Sequence, residues 1–335
     1  MPAPRYAVLF AVLAITPSLG VAQTAGLTGT LVVTNKTPST ATIIDLASGR
    51  TLATLPTGAG PHEVVISPDG RTAVVTDYGG QPRKTLTVID VPALKVVRTI
   101  DLGAYTAPHG ILFLPNGGDS LVVVTSETTG NIVVVNVQAG TVVKAIATQG
   151  QASHMVGVTA DGSRAYTGNI RSNTVSEMDL RAGTFVRTWD VPTQPEAINV
   201  TPDGKEVWVG SNATGKVSVI DVATGTVTTA AEGVQFPYRV LYTPDGRTVI
   251  IPDARGEEVR FLDRATRREL GRISLPGGGP QGITITPDGR YVFQSLSTGA
   301  KVAIIDVRTR SIAGHLDAGQ TPDGIAFTTR VVPPR

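Results

Sequence analysis

The sequence contains no cysteine among its 335 residues. Disulfide bonds, thiolate nucleophiles and cysteine-ligated zinc sites are therefore excluded, and the fold must be held by its hydrophobic core. Aromatic residues make up only 5% and charged residues only 17% of the sequence, and the formal net charge is +2. This near-neutral balance gives no reason to expect a nucleic acid or an acidic membrane surface as a partner.

Long apolar runs are also scarce, and the clearest one lies at the N-terminus, over residues 6–15. Arg5 precedes it and small residues follow, a pattern typical of a signal peptide at residues 1–22 that is cleaved before Gln23 or, alternatively, before Val21. The run is too short to span a bilayer. We therefore expect an exported protein, periplasmic or secreted, with no membrane span after signal cleavage and with residues 23–335 as a single domain.

Several catalytic signatures are missing as well. The sequence has no G-x-S-x-G nucleophile motif, no phosphate-binding loop and no calcium loop. His62-Glu63 begins like the H-E-x-x-H motif of metalloproteases, but Ile66 stands where the second histidine belongs. The sequence thus leaves open whether the protein is an enzyme.

What the sequence has in abundance is a repeat with a spacing of 42 to 46 residues. Two hydrophobic residues, or Glu-Met in the fourth repeat, are followed by Asp or Asn seven times, at Asp45, Asp90, Asn136, Asp179, Asp221, Asp263 and Asp306. A P-D-G turn, in two places a variant of it, lies between these motifs at residues 68–70, 115–117, 160–162, 202–204, 244–246 and 287–289. A fixed period of this length indicates a repeat architecture.

Each repeat contains four short strands. In residues 193–234, apolar strands at 197–201, 206–210, 217–222 and 226–230 are separated by turn residues such as Asp203-Gly204. Four strands per period predict one blade of a β-propeller, and seven periods predict seven blades. The N-terminal part lacks a first strand and the C-terminus has one left over, so the seventh antiparallel blade is predicted to join one C-terminal strand to three N-terminal strands.

The stretches VTPDGKEVWVGSNATGKVSVIDVATGTV and ISPDGRTAVVTDY…TLTVIDV resemble the YVTN-type β-propeller repeat, as found in YncE-like exported bacterial proteins. The resemblance covers residues 27 to 330. It implies the propeller fold but does not select a function, because propellers of this type and their structural relatives include surface-layer proteins, lactone-processing enzymes and domains of redox enzymes. A single-stranded DNA-binding activity has also been attached to the YncE type.

Aligned repeats give two columns of polar residues on one face of the predicted ring. The first column follows the proline, or its equivalent, that precedes each innermost strand: His62, His109, His154, Glu196, Tyr238, Gln281 and Asp323. The second column opens the loop between the second and third strands: Asn35, Asp77, Ser126, Asn169, Ser211, Asp253 and Leu296. Innermost strands begin at the mouth of the central channel, so we expect a binding site there, to which Arg171 and Arg239 are close in sequence.

Three of the four histidines fall in the first column, in adjacent blades. Duplication of a structural histidine, or a hydrogen bond to a neighbouring carbonyl, would explain this without any function. Alternatively, His62, His109, His154 and Glu196 are metal ligands, a donor set that suits a transition metal. A third interpretation is acid–base chemistry on a lactone or an organic acid.

The sequence therefore favours an exported binding or scaffold propeller that uses its channel mouth for a small-molecule ligand or a protein partner. The alternative is an enzyme of the lactonase or isomerase type, or a metal-dependent one, with its histidine-rich site at the mouth. No nucleic-acid partner is expected, and a monomer is predicted.

Overall fold

A computed structural model describes residues 26–333, which form seven four-stranded antiparallel sheets arranged as the blades of a β-propeller. The predicted fold class is confirmed, with 28 strands and no helix in this part of the chain. No helix long and apolar enough to cross a membrane occurs among these residues. The predicted signal peptide lies outside the described residues.

Blade 1 combines both ends of this region, in the order β28 (Pro322–Thr328), β1 (Thr30–Asn35), β2 (Thr40–Asp45) and β3 (Arg50–Pro56). Each of the other blades consists of four consecutive strands, which run in chain order from the innermost to the outermost. Blade 2 has β4 (Pro61–Ile66), β5 (Thr72–Asp77), β6 (Thr85–Asp90) and β7 (Lys95–Asp101); blade 3 has β8 (Pro108–Phe113), β9 (Leu121–Ser126), β10 (Asn131–Asn136) and β11 (Thr141–Ala147); blade 4 has β12 (Ser153–Val158), β13 (Arg164–Asn169), β14 (Thr174–Asp179) and β15 (Thr184–Asp190). Blade 5 has β16 (Pro195–Val200), β17 (Glu206–Ser211), β18 (Lys216–Asp221) and β19 (Val227–Ala231); blade 6 has β20 (Leu241–Tyr242), β21 (Thr248–Asp253), β22 (Glu258–Asp263) and β23 (Glu269–Ser274); blade 7 has β24 (Pro280–Ile285), β25 (Tyr291–Leu296), β26 (Lys301–Asp306) and β27 (Ser311–Asp317).

The repeated turn residues act as the sequence predicts. In the turn after β16, Asp203 Oδ1 accepts hydrogen bonds from the Thr201 hydroxyl at 2.6 Å and from the Lys205 backbone N–H at 3.1 Å. Gly204 then adopts a φ of +70°, a conformation that residues with a side chain rarely take. At the end of β18, Asp221 Oδ1 likewise accepts the Thr224 backbone N–H at 2.8 Å. These bonds fix the turns and therefore the register of each blade.

The ring closes through pairing of β1 with β28. The two strands are antiparallel, with Thr30 opposite Thr328 and Asn35 opposite Pro322. Pro322 thus begins an innermost strand, and the T-P-D-G stretch at 321–324 is not a hairpin turn. Beyond β28, Arg330 donates to the Asp69 carbonyl oxygen in blade 2 at 2.8 Å, so the chain end also joins its neighbouring blade.

Among residues 26–333 the hydrophobic core is divided into seven clusters, one at each interface between adjacent blades. Between blades 7 and 1, for example, Phe293 and Ile304 pack against Leu31, Val33 and Ile44. Both faces of the second and third strands are buried, as in β5, β9 and β10, which explains their runs of Val and Ile. The outermost strands are partly exposed. The innermost strands line a central cavity of about 350 Å³.

Candidate functional site

The three histidines of the first column meet at one end of the central channel. The ring centroids of His62 and His109 are 4.6 Å apart, and those of His109 and His154 are 3.6 Å apart with an interplanar angle of 30°. The innermost strands of blades 2, 3 and 4 thus bring together side chains that are more than 40 residues apart in the sequence. We call these three residues the histidine cluster.

A carboxylate lies beside each of the two outer imidazoles of the cluster; His154 is hydrogen-bonded to its carboxylate, whereas Nδ1 of His62 has no hydrogen bond among residues 26–333. Nδ1 of His62 lies 3.0 Å from Oδ2 of Asp323, and Nδ1 of His154 lies 2.9 Å from Oε2 of Glu127. Burial raises the pKa of Glu127, but the hydrogen bonds from His154 and Tyr78 outweigh it and keep that pKa below its ordinary value. Burial likewise opposes ionisation of Asp323, yet Lys36 and His62 hold its pKa well below the usual range.

His109, in the middle of the cluster, is fully buried. Neither of its ring nitrogens has a hydrogen-bond partner among residues 26–333. Burial, and after it the neighbouring His154 and His62, lower the pKa of His109 well below its ordinary value. The ring is therefore neutral at physiological pH, with one N–H donor and one lone pair that no group in this part of the chain uses.

The other members of the first column continue the ring of polar groups. Glu196 Oε1 lies 3.8 Å from Nε2 of His154, and the Tyr238 hydroxyl donates to Oδ1 of Asp323 at 3.0 Å. Gln281 reaches the same group through Lys36, whose Nζ lies 3.5 Å from its Oε1 and 2.9 Å from Asp323 Oδ2. Each of the seven candidate residues of the first column thus contacts either another member or a residue that bridges to one.

A third set of residues, which the sequence analysis did not select, completes the site. Each directly follows a member of the second column, and we call this set the third column: Lys36, Tyr78, Glu127, Ile170, Asn212, Ala254 and Ser297. Tyr78 packs edge-on against the rings of His62 and His109, at 4.6 and 5.0 Å between centroids. Its hydroxyl donates to Glu127 Oε2 at 3.0 Å, and burial, with Glu127 next in importance, raises the pKa of Tyr78 to about 12. Asn212 donates to Glu196.

The second column does not join the cluster, because its side chains are buried inside the blades. Asp77 is 1% exposed and accepts hydrogen bonds from the Gly58 backbone N–H and from the hydroxyls of Thr85 and Thr87 at 2.8 to 3.0 Å. Asn169 is fully buried and is bonded to Ser153, Thr174 and Ser176. Burial, only partly offset by these hydrogen bonds, raises the pKa of Asp77 to about 6.

The alternation of side-chain direction along a strand distinguishes the second column, which is buried, from the third column, which faces the site. Successive residues of a strand point to opposite sides. If the second column fills the blade interior, the next residue must point out of it, which is where Lys36, Tyr78 and Glu127 lie. The position of the third column could therefore be predicted from the sequence. Its residue types, however, differ so much between blades that the repeats show no common residue there.

The two arginines named from the sequence take different positions. Arg239 is 7% exposed, donates to Glu63 and to the Tyr238 carbonyl oxygen, and lies over the Tyr238 ring at 4.2 Å from the centroid. This ion pair crosses the channel from blade 6 to blade 2, between the histidine cluster and the apolar part of the cavity. Arg171 is exposed and lines a surface pocket beside Glu127.

Glycine and threonine let the inner strands approach closely enough for the histidines to touch. A Cβ atom on Gly110, next to His109, would lie 2.7 Å from the Cα of Met155 in the neighbouring inner strand. The Thr125 hydroxyl accepts the Gly110 N–H at 2.9 Å and donates to the His154 carbonyl oxygen at 2.6 Å, which ties blade 3 to blade 4. The stack of His109 on His154 is thus fixed by backbone contacts.

The residue types of the site suit metal coordination or proton exchange. One ligand atom each from His62, Glu63 and His109 lie within 4.8 Å of one another, a spacing that an ion could bridge. The ion pair with Arg239 engages Glu63. The Glu127–His154 pair has the geometry of an oriented general base.

Comparison with known proteins identifies the fold and its repeats. The model of a family described as YNCE-like beta-propeller matches residues 21–118 and 116–237. No curated protein matches the sequence. Among solved structures, hydrazine synthase from Kuenenia stuttgartiensis superposes with a TM-score of 0.67 at 19% identity, over 80% of this chain and 89% of that one.

Two further structures agree over more of the chain. A functionally unknown protein from Desulfotomaculum acetoxidans has a TM-score of 0.73 at 15% identity, over 89% of this chain and 98% of that one. A provisionally assigned 6-phosphogluconolactonase from Bacteroides fragilis has a TM-score of 0.73 at 16% identity, over 91% and 99%. At these identities the similarity shows the fold alone.

Proposed function

The chain belongs to the YNCE-like beta-propeller family, and we propose that it is an exported binding protein that takes up a small ligand in the histidine cluster at its channel mouth. The observation that carries the proposal is the buried His109, whose two ring nitrogens have no hydrogen-bond partner among the described residues. A buried polar group left unpaired costs about 1 to 3 kcal/mol. A ligand that pairs with this ring would recover that free energy.

The second column supports this interpretation by contrast. Asn35, Asp77 and Asn169 are also buried polar groups repeated from blade to blade, and each is hydrogen-bonded within the blade structure. These three repeated polar residues are thus paired by the protein itself. His109 occupies an equally regular position in the repeat and lacks this pairing, which favours a ligand over a purely structural role.

Export is supported by the sequence of residues 1–22 alone, which has the charge, apolar run and small-residue end of a cleavable signal. A periplasmic or secreted location follows from that pattern as part of the proposal. The monomeric state and the lack of a nucleic-acid partner stay predictions from composition and repeat pattern.

An enzymatic role is the second candidate, because of the Glu127–His154 pair. Its Nδ1–Oε2 distance of 2.9 Å would orient the imidazole and strengthen it as a base. Tyr78 donates to the same carboxylate oxygen. Such a group would suit the opening of a lactone or proton abstraction from an organic acid.

Thermal unfolding in the presence of a ligand panel tests the proposed function. The panel contains divalent metal ions, lactones and small organic acids, and the proteins are the mature wild type, His154→Ala and His315→Ala. His315 lies on the outermost strand of blade 7 and serves as the matched control. A ligand of the cluster should raise the unfolding temperature of the wild type and the control but not of His154→Ala.

The proposal is overturned if no compound stabilises the wild type, or if every stabilising compound acts equally on His154→Ala and on a second variant, His62→Ala. Lactones that stabilise the wild type are then followed for hydrolysis. Turnover that is lost in Glu127→Gln would establish the enzymatic alternative.

A further inference from the structure

We propose that the ligand of the histidine cluster is a divalent first-row transition-metal ion, bound by imidazole nitrogens of His62, His109 and His154, with Asp323 and Glu127 as positioning residues. This inference rests on the proposed function and names the chemical class of its ligand. It is carried by four features of the site: the orientation of the outer rings, the free nitrogens of the central ring, the donor spacing and the balance of charge.

The outer rings have the arrangement found around metal-bound histidines. A metal-bound imidazole almost always gives its second nitrogen to a carboxylate, a carbonyl oxygen or water. Here Nδ1 of His154 is hydrogen-bonded to Glu127 at 2.9 Å. Nδ1 of His62 lies 3.0 Å from Asp323 Oδ2 without hydrogen-bond geometry, so this pair needs a small adjustment to form the same contact. With the proton on Nδ1, the lone pair stands on Nε2. For His154, the carboxylate of Glu196 lies 3.8 Å from Nε2, beyond hydrogen-bond distance, so it does not hold a proton on that nitrogen.

The central ring supplies a third nitrogen. His109 lies between the other two rings, is fully buried and has both nitrogens without a partner in residues 26–333. A histidine kept only for packing would expose one nitrogen to water or bond it to a carbonyl oxygen. This ring does neither, and a metal ion would pair its lone pair.

The spacing of the donors suits an ion between His62 and His109, which His154 would join after rotation of its ring. Metal–nitrogen distances of about 2.0 to 2.1 Å place the nitrogens of a tetrahedral site about 3.4 Å apart. Donor atoms of His62, Glu63 and His109 already lie within 4.8 Å of one another. His154 stacks on His109 with 3.6 Å between the ring centroids, so its ring must rotate before its nitrogen can share the ion. Glu196, next to His154, offers an oxygen donor for a fourth position.

The charges around the cluster favour a cation of this class. The carboxylates of Glu63, Glu127, Glu196 and Asp323 surround it, whereas Lys36 and Arg239 supply two positive charges that are paired with Asp323 and Glu63. Three imidazoles select Zn²⁺, Cu²⁺, Ni²⁺ or Fe²⁺. Mg²⁺ and Ca²⁺ prefer oxygen ligands and should not compete.

Titration of metal into the mature, chelator-treated protein tests the inference. Calorimetry should show one Zn²⁺ per chain and no heat of binding for Mg²⁺ or Ca²⁺. Co²⁺ should give visible absorption bands of a four-coordinate nitrogen-rich site that Zn²⁺ removes. His62→Ala and His154→Ala should each lower Zn²⁺ affinity at least ~100-fold, and Glu127→Gln about 10-fold as expected for a positioning residue. His315→Ala should bind as the wild type does.

Proton NMR of the wild type gives a second measurement that needs no variant. Zn²⁺ should shift or broaden the imidazole signals of the three cluster histidines and leave those of His315 unchanged. The inference is overturned if Zn²⁺ and Co²⁺ do not bind, or if binding persists in the double variant His62→Ala/His154→Ala. Loss of metal binding with retention of a cluster-dependent organic ligand would refute only the metal site, whereas absence of both would also refute the proposed function.

Discussion

Asp77 is an acidic residue at a position where two other blades have asparagine. Asn35 places its amide N–H groups toward Thr40 and Thr42 and its oxygen toward the Gly319 backbone N–H. Asp77 receives the same kinds of contact with a carboxylate instead. Burial makes the charged form unfavourable and raises the pKa of Asp77 to about 6 from 3.8.

Replacing Asp77 by Asn should therefore stabilise the protein in a pH-dependent way. Because the folded-state pKa of this acid is raised, its contribution to stability is full below pH 3.8 and is lost as the pH rises through about 6. We expect Asp77→Asn to match the wild type near pH ~4 and to exceed it by about 3 kcal/mol near pH ~7.5, since the pKa rises from 3.8 to about 6 and one pKa unit corresponds to about 1.4 kcal/mol. Urea unfolding at both pH values measures the difference.

Asp253→Asn is the matched control in the same column. Asp253 accepts backbone N–H groups of Gln235, Phe236 and Gly256 at 2.7 to 2.8 Å, so an amide N–H₂ would face a donor. This variant should be destabilised at both pH values. Equal effects of Asp77→Asn at the acidic and the neutral pH would refute the assigned role of burial.

At the scale of the strand, the position after the first column controls how closely neighbouring inner strands approach. Gly110 lies against the backbone of His154 and Met155, and Gly324 lies against His62 and Glu63. A side chain at either glycine would collide with backbone atoms, which cannot rotate away. The distance between imidazoles thus depends on the absence of a neighbouring Cβ.

Gly110→Ala should accordingly separate β8 from β12. We expect a loss of about 1 to 3 kcal/mol in the free energy of unfolding, as for other overpacked sites, and weaker binding at the histidine cluster. Gly299→Ala is the control, because its Cβ would find only ordinary contacts at 3.8 Å. Chemical unfolding of both variants measures the cost, and a Gly110→Ala protein as stable as Gly299→Ala would contradict the close-packing argument.

Residues of the first column could be predicted as site residues from the sequence, whereas Tyr78 and Glu127 could not. The repeat placed His62, His109, His154 and Asp323 at equivalent positions, so their common location followed from the period alone. Tyr78 and Glu127 lie one residue beyond a repeated position, where each blade carries a different residue. The contact of Tyr78 and Glu127 with the histidine cluster depends on the direction of their side chains, which an alignment of the repeats does not show.

At the scale of the whole molecule, the fold was predictable because each blade repeats one sequence pattern. The C-terminal strand β28 could complete only the blade that lacked a first strand. The spacing of the repeats does not predict contacts between distant blades, such as the ion pair between Arg239 of blade 6 and Glu63 of blade 2. These contacts depend on the diameter of the ring, which becomes known only when the ring closes.

Deletion of residues 320–335 should destabilise the protein severely. It removes β28, which pairs with β1, and Asp323, which anchors His62. Exposure of Ile325 and of the apolar faces it covers should cost several kcal/mol. Calorimetry should show a much lower unfolding temperature, whereas deletion of residues 333–335 should have little effect. An unchanged unfolding temperature of the longer deletion would contradict ring closure by β28.

Export should leave a mature N-terminus at Gln23 or Val21, because signal peptidase cuts after small residues at the end of an apolar run. Intact-mass spectrometry of protein from the periplasmic fraction or the culture medium measures this end. Recovery of a cytosolic protein that still begins at Met1 would contradict the proposed location.

The ion pair of Glu63 and Arg239 divides the axis of the ring into two compartments of opposite character. On one side lie imidazoles and carboxylates; on the other lies a cavity walled by residues such as Val65, Leu112 and Ile283. The two ends of the axis thus offer different chemistry to a ligand. We expect polar or charged ligands at the imidazole end, whereas the other end suits only an apolar group.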